Sequence, residues 1–173
     1  MIYNAENAGF PKGCNQGMAL ATGDYILLLN NDTIVTVNWL DQLLLCLNSD
    51  ERIGAAGPLT NNASYYTAIQ VPYRTLEELH QFAGEYNKTD RAKWEERIKL
   101  IGFCLLMKRE VFEKVGPLDE RFSPGNFEDE DYCLRIRLAG YKLMLCKDTF
   151  IQHFGSASFS GDPSAFFKPA AGK

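Results

Sequence analysis

Cys14, Met18, Ala19 and Ala21 recur at near-helical spacing, which predicts a helix over 11–21 stopped by Gly23. A continuous apolar run from Tyr25 to Leu29 follows, bounded by Gly23-Asp24 and by Asn30-Asn31-Asp32. Its length is that of a strand, and its lack of alternation predicts cover on both faces, as in a parallel sheet. Trp39, Leu40, Leu43, Leu44 and Leu47 fall on one helical stripe able to supply that cover. A short strand returns at 53–57. Strand alternating with helix up to Pro58 is the pattern of an α/β layer with right-handed crossovers.

Beyond Pro58 the pattern changes. Residues 60–97 are polar and rich in Asn, Tyr, Glu and Lys, with short helices predicted at 76–82 and 92–98. A stretch of this kind reads as an excursion over the substrate side of the sheet. A strand over 98–108, a helix over 109–115 ended by Gly116-Pro117, a helix over 127–139 ended by Gly140, and closing strands at 142–146 and 149–153 complete the series. Residues 1–4 look like the tail of a strand, whose ladder groups need neighbours; the expectation is that the first strands of the sheet are missing. The expected division is one domain over 1–160 and a loose tail over 161–173, where periodicity is lost.

Composition narrows the function. The 173 residues are 46% hydrophobic and 23% charged, as in a single globular domain. A formal net charge of -4 argues against nucleic acid as a partner, because that grip needs clustered Lys and Arg to displace counterions. The acids are better suited to holding a cation. The longest apolar runs are too short to cross a bilayer and no signal segment precedes them, so the chain reads as soluble. Five cysteines without a C-x-x-C pair sit mostly in apolar runs, which fits reduced core thiols better than zinc ligands.

Four segments carry candidate chemistry. Asn30-Asn31-Asp32 directly follows a strand, where α/β sheets bind ligands, and Asp32 could bridge a hard cation to a diphosphate with Asn30 as a neutral oxygen nearby. The same residues also suit a turn and a helix cap. Glu128, Asp129, Glu130 and Asp131 crowd four carboxylates at a predicted helix start, where the dipole favours anions. Asp129 is the candidate base; Glu130 and the i,i+4 pair Asp131 to Arg135 read as ordinary helix chemistry. His153 could complete a metal site with Asp32, or be a hydrogen-bonded core imidazole. The glycine-rich stretch Asn7 to Gly17 opens a helix, which suits phosphate, although Gly13 and Gly17 could equally serve close helix packing.

The ordered motifs N-x-G-F-x-x-G-x-N-x-G, G-D-Y-I-L-L-L-N-N-D, G-F-C-L-L-M-K-R, L-D-E-R-F, F-E-D-E-D-Y-C-L-R, A-G-Y-K and H-F-G-S resemble inverting glycosyltransferases of family 2, from Asn7 to about Ser158. The resemblance implies an α/β fold of GT-A type: a mixed, mainly parallel sheet flanked by helices, here lacking the first nucleotide-binding strands. It implies that Asp32 stands at the last position of the D-x-D motif and binds Mg²⁺ or Mn²⁺ on the donor diphosphate, with Asn30 in place of the commoner aspartate. Glu128-Asp129 matches the E-D motif, whose aspartate is the base, and His153 matches a histidine that is a metal ligand in some relatives. Asn7, Gly13, Asn15, Asn30, Asp32 and Glu128 would line the donor site. The implied donor is a UDP- or dTDP-sugar and the implied acceptor a glycan or lipid-linked hydroxyl. The implied location is the cytoplasm, with room for peripheral association at the inner membrane face. Tyr65, Tyr66, Tyr73 and Trp94 are the aromatic residues of the excursion able to meet an acceptor.

Two rivals frame this expectation. A nucleotidyltransferase would also use an α/β fold and a metal, but its glycine-rich basic N-terminal signature is not visible. A non-catalytic module of the same fold would keep the acids without turnover. With the base-recognising strand and loop expected to be missing, the isolated chain should bind sugar nucleotide weakly.

Overall fold

The structure is a computed structural model that describes residues 2–155; the expected tail over 161–173 and the last residues of the expected domain lie outside the described residues. Five helices, α1 (Phe10–Leu20), α2 (Trp39–Leu47), α3 (Leu76–Tyr86), α4 (Arg109–Val115) and α5 (Glu128–Leu138), surround the strands β1 (Tyr25–Leu29), β3 (Ile53–Leu59), β4 (Trp94–Arg97), β5 (Cys104–Lys108) and β6 (Lys142–Phe150). These strands form one sheet in the order β1-β5-β3-β6-β4. A small antiparallel ribbon joins β2 (Thr33–Ile34) to β7 (Gln152–His153).

Strand direction organises the molecule. β3 and β6 pair in parallel, β5 runs antiparallel to both β3 and β1, and β4 is antiparallel to β6. The sheet is therefore mixed: β1, β3 and β6 share a direction, while the only parallel neighbours among the described strands are β3 and β6. The three strands that run together deliver their carboxyl ends, at Leu29, Leu59 and Phe150, to one edge of the sheet. Ligands in α/β folds bind at such an edge.

The sheet is covered on both faces. On one side Leu43, Cys46 and Leu47 of α2 pack on Ile53, Ala56, Leu106 and Cys146. On the other, Met18 of α1, Val111 of α4 and Tyr132, Cys133 and Ile136 of α5 pack on Ile26, Leu28, Leu105, Met107, Leu143 and Leu145. Each such fully buried large side chain contributes about 1.5–3 kcal/mol of transfer free energy. All five cysteines are free thiols, four of them buried, and burial, aided for Cys14 by the Glu128 charge, pushes Cys14 up to about 11. Protonated thiols of this kind are inert filling.

Several expectations are corrected. β1 is an edge strand with alternating burial, its outermost residues Tyr25 and Leu29 exposed, because β5 is its one ladder partner among the described residues. Residues 92–98 are not helical: a 3-10 turn at Arg91–Lys93 leads into β4. Pairing overrides helix propensity there, since the Trp94 indole donates to Asp148 at 2.9 Å and Glu95 and Glu96 meet Lys147 and Lys142 across the ladder. Charges of this kind also guard an open edge. Residues 2–4 form no strand; Asn4 exchanges two side-chain hydrogen bonds with Gln16 of α1. The strand expected over 98–108 begins only at Cys104, and the two closing strands are one continuous β6 followed by a bend into β7. Asn87, 1% exposed, secures that bend by donating to Thr36, Val37 and Phe150 and accepting from the Phe150 N–H.

Candidate active site

The carboxyl edge gathers residues from both ends of the chain. β1 is followed by Asn30, whose N–H donates to the Phe103 carbonyl at 2.8 Å, and the chain then turns through Asp32 into β2. The β2–β7 ribbon sets Thr33 opposite His153, and the Phe154 N–H donates to the Asp32 carbonyl at 2.9 Å. As a result Asp32 Oδ1 and His153 Nε2 lie 3.3 Å apart, with side chains only 10% and 11% exposed. Asn30 Nδ2 lies 3.5 Å from the same imidazole nitrogen.

The imidazole is held from three directions. Its Nδ1 sits 2.8 Å from the Asn62 carbonyl, which orients the ring so that Nε2 faces Asp32. Its backbone N–H donates to the Asn61 side chain, and its ring stacks on Phe103 at 5.0 Å. Asn62 also donates to the Phe154 carbonyl, and its amide lies where a Cβ on Gly155 would stand, 2.2 Å away. With φ at +65°, that position suits only glycine.

The α5 acids lie across the same loop. Gly102, next to Phe103, donates its N–H to Asp129 Oδ2 at 3.1 Å, and a Cβ on Gly102 would come within 3.3 Å of the Asp129 Cβ. Glu128 is buried and accepts from the Asn126 N–H. Glu130 is ion-paired with Lys99, and Asp131 with Arg135 at 2.8 Å. For Lys99 burial works against the charge, but the Glu130 hydrogen bond and the charges of Asp129 and Glu130 outweigh it and raise its pKa. The four carboxylates are thereby sorted, since Glu130 and Asp131 are ion-paired while Asp129 accepts from the Gly102 N–H and lies within the field of Lys99.

The glycine-rich segment divides. Its first part adjoins α5: Phe10 N–H donates to Pro124 O, and Gly9, at φ +77°, leaves room for Ser123, whose Oγ lies 2.4 Å from where a Cβ would be. Asn7 accepts from the Gly9 N–H. Farther along, Asn15 is taken up by the Leu118 backbone, donating to its carbonyl at 2.9 Å and accepting from its N–H at 2.8 Å, with a further bond to Glu120. Gly13 opens onto a shallow depression of about 380 Å³ shared with Ile2, Asn4, Gln16, Gly17 and Leu20. Asn15 and Gly13 make no contact with the Asp32–His153 corner among the described residues.

The excursion divides too. Tyr73 packs against Phe82 and Phe150 and bonds to Gln152, and Trp94 is fixed by Asp148 and covered by Arg91, so both are structural. Tyr65 and Tyr66 are exposed. Asn61, Asn62, Gly102, Phe103 and Lys99 are the residues here that sequence reasoning did not single out. The signal available for Gly102 was a glycine immediately before a buried strand, and for Asn61-Asn62 an amide pair at a strand end.

Asp32 and His153 suit a divalent cation: a carboxylate oxygen and an imidazole nitrogen, close together and nearly buried, with the imidazole oriented by a carbonyl behind it. No cluster of three or more His, Cys, Asp or Glu stands ready for a metal among the described residues. An ion there would take its remaining ligands from phosphate and water, as Mg²⁺-type sites do.

The fold is that of GT-A glycosyltransferases. It superposes with a TM-score of 0.64 on GalNAc-T7, solved with UDP, GalNAc and Mn²⁺, at 18% identity over 87% of this chain and 31% of that one. It superposes at 0.59 on the mannosyltransferase PcManGT from Pyrobaculum calidifontis, solved with GDP-Man and Mn²⁺, at 17% identity over 96% of this chain and 48% of that one. The family model described as Glycosyl transferase family 2 matches residues 1–116, and the chain belongs to that family. It is 28% identical over 156 residues to the N-acetylglucosaminyl-diphospho-decaprenol L-rhamnosyltransferase of Mycobacterium tuberculosis, covering 82% of this chain and 50% of the relative. It is 27% identical over 166 residues to the O-antigen biosynthesis protein RfbC of Myxococcus xanthus, covering 88% of this chain and 12% of the relative. The chain thus spans half or less of these relatives. No helix among the described residues is long and apolar enough to cross a membrane.

Proposed function

We propose that this chain carries the metal and base side of a glycosyltransferase that moves a sugar from a nucleoside-diphosphate donor to a hydroxyl acceptor with inversion. The observation that supports it most is the convergence of Asp32 and His153 at 3.3 Å beside a loop whose Gly102 holds Asp129. Two families of residues from distant parts of the chain meet at the strand ends, as a donor and an acceptor must. The name of the rhamnosyltransferase relative supports a diphospho-lipid-linked glycan as the acceptor class. The structural neighbours, solved with UDP or GDP-Man and with Mn²⁺, support a nucleotide sugar as donor and a divalent cation, Mn²⁺ or Mg²⁺, as the ion; UDP or dTDP is the expected nucleotide and the cytoplasm or the inner membrane face the expected location.

In this reading Asp129 takes the acceptor hydroxyl proton as that oxygen attacks the anomeric carbon. The bond to the diphosphate breaks on the opposite face, so configuration inverts. The Gly102 N–H fixes the direction of the carboxylate, while the partners of Glu130 and Asp131 keep those acids out of competition. Asp32 and His153 would hold the cation, which supplies charge stabilisation to the departing diphosphate. Asn30, Glu128 and Asn7 would line the donor; Gly13 and Asn15 would reach it only along α1.

Asp129→Asn tests this reading. Transfer should fall by about 10²–10⁴-fold, the range of a lost general base, with donor binding retained. Turnover at the wild-type rate would remove Asp129 as the base, and product of retained configuration would remove the displacement.

A further inference from the structure

The loop between β3 and α3 is closed by backbone bonds, Thr60 N–H to Thr67 O at 3.1 Å and Ile69 N–H to Thr60 O at 2.8 Å. At its tip the Thr67 N–H donates to the Ser64 carbonyl at 3.2 Å, which makes Tyr65 and Tyr66 the two central residues of a turn. Both have φ of +57°. Two successive positive φ values define the turn class dominated by Asn, Asp and Gly, and bulky aromatic residues are held there only against steric cost. Such strain at a surface tip points to a task for the side chains.

The two rings differ. Tyr65 has the Lys99 ammonium 3.8 Å from its ring centre and donates its hydroxyl to Glu130 at 3.2 Å, so it is anchored to the residue that follows Asp129. Tyr66 is 89% exposed. We propose that Tyr66 is the contact for the sugar ring of the acceptor, an aromatic ledge on the turn that Tyr65 anchors to Glu130, with Tyr65, Lys99 and Glu130 as its positioning residues. The proposal rests on the glycosyl-transfer reading above and adds to it where the acceptor lies and what it offers. An aromatic face takes the C–H face of a pyranose, and the local charge, Asp129 and Glu130 against Lys99, favours a neutral ring over a phosphorylated one.

The strained turn makes the test clean. Tyr66→Gly relieves the backbone, so its Tm should rise by about 2–4 °C, which separates lost binding from lost folding. Saturation-transfer NMR with methyl glycosides of neutral hexoses and N-acetylhexosamines should show binding by the parent chain. Affinity should fall by about 2- to 13-fold in Tyr66→Gly, the range of an aromatic stacking contact, and persist in Tyr66→Phe. Unchanged glycoside affinity in Tyr66→Gly, a lowered Tm, or tighter binding of hexose 6-phosphates than of the neutral glycosides would overturn the proposal. A parallel titration with UDP and Mn²⁺ separates the two readings. Nucleotide binding without glycoside binding sinks the ledge and spares the transferase; glycoside binding without any nucleoside diphosphate binding does the reverse.

Discussion

The Asp32–His153 corner and helix α1 both carry candidate donor-site residues, yet the protein treats them differently. At the corner, polar groups are nearly buried and turned toward one another by their neighbours: Nε2 of His153 faces Asp32 because Nδ1 faces the Asn62 carbonyl. Along α1 the polar groups are either consumed, as Asn15 is by Leu118, or open to solvent, as Gly13 is. Orientation by surrounding structure is what turns a polar residue into a site. Buried hydrogen bonds that use both ends of an amide turn it into a staple.

Three substitutions would sharpen or break this contrast. His153→Ala removes one of the two proposed ligands at the corner, and Mn²⁺ affinity measured by titration in the presence of UDP should fall by at least about 10–100-fold, since even supporting residues of metal sites cost that much. Undiminished Mn²⁺ binding would dissolve the corner as a metal site. Asn15→Ala leaves the Leu118 N–H and carbonyl without partners and should lower stability by about 1–3 kcal/mol in urea denaturation, with UDP–Mn²⁺ affinity little altered. A large affinity loss at unchanged stability would instead put Asn15 on the donor. The smallest effect is expected for Gly13→Ala: nothing lies within 4 Å of the new Cβ, so relief of the helix-interior glycine should add about 0.5–1 kcal/mol. A drop in nucleotide affinity would mean the donor approaches α1 there.

Much of the layout was legible along the chain. The apolar run Tyr25 to Leu29, the stripe from Trp39 to Leu47 and the glycine stops at Gly116 and Gly140 mark β1, α2, α4 and α5, since each rests on local periodicity and end signals. β4 was not legible, because W-E-E-R carries no strand period and owes its conformation to ladder bonds with β6 and to the anchor between Trp94 and Asp148. The cover of β1 was misread for a related reason: a run of five apolar residues does not tell whether both faces of its strand are packed, and Tyr25 and Leu29 stay exposed. At the site, carboxylates and the histidine were visible as unusual residues at element ends. The roles of Asn61, Asn62, Gly102 and Phe103 were not, although G-F-C-L-L-M-K-R stood among the family motifs, because a backbone carbonyl, a backbone N–H, absent bulk and ring stacking do not reveal their partners in residue type.

The sequence by itself determined most of the helices and strands, β4 excepted, that the thiols are core filling, and which acids crowd the start of α5, because these depend on neighbours a few positions away. Only the tertiary structure decided that β1, β3 and β6 point the same way, that β2 meets β7, and that one loop touches both His153 and Asp129. Those outcomes depend on strand pairing between distant segments, where the free energy lies in contacts that no local window contains.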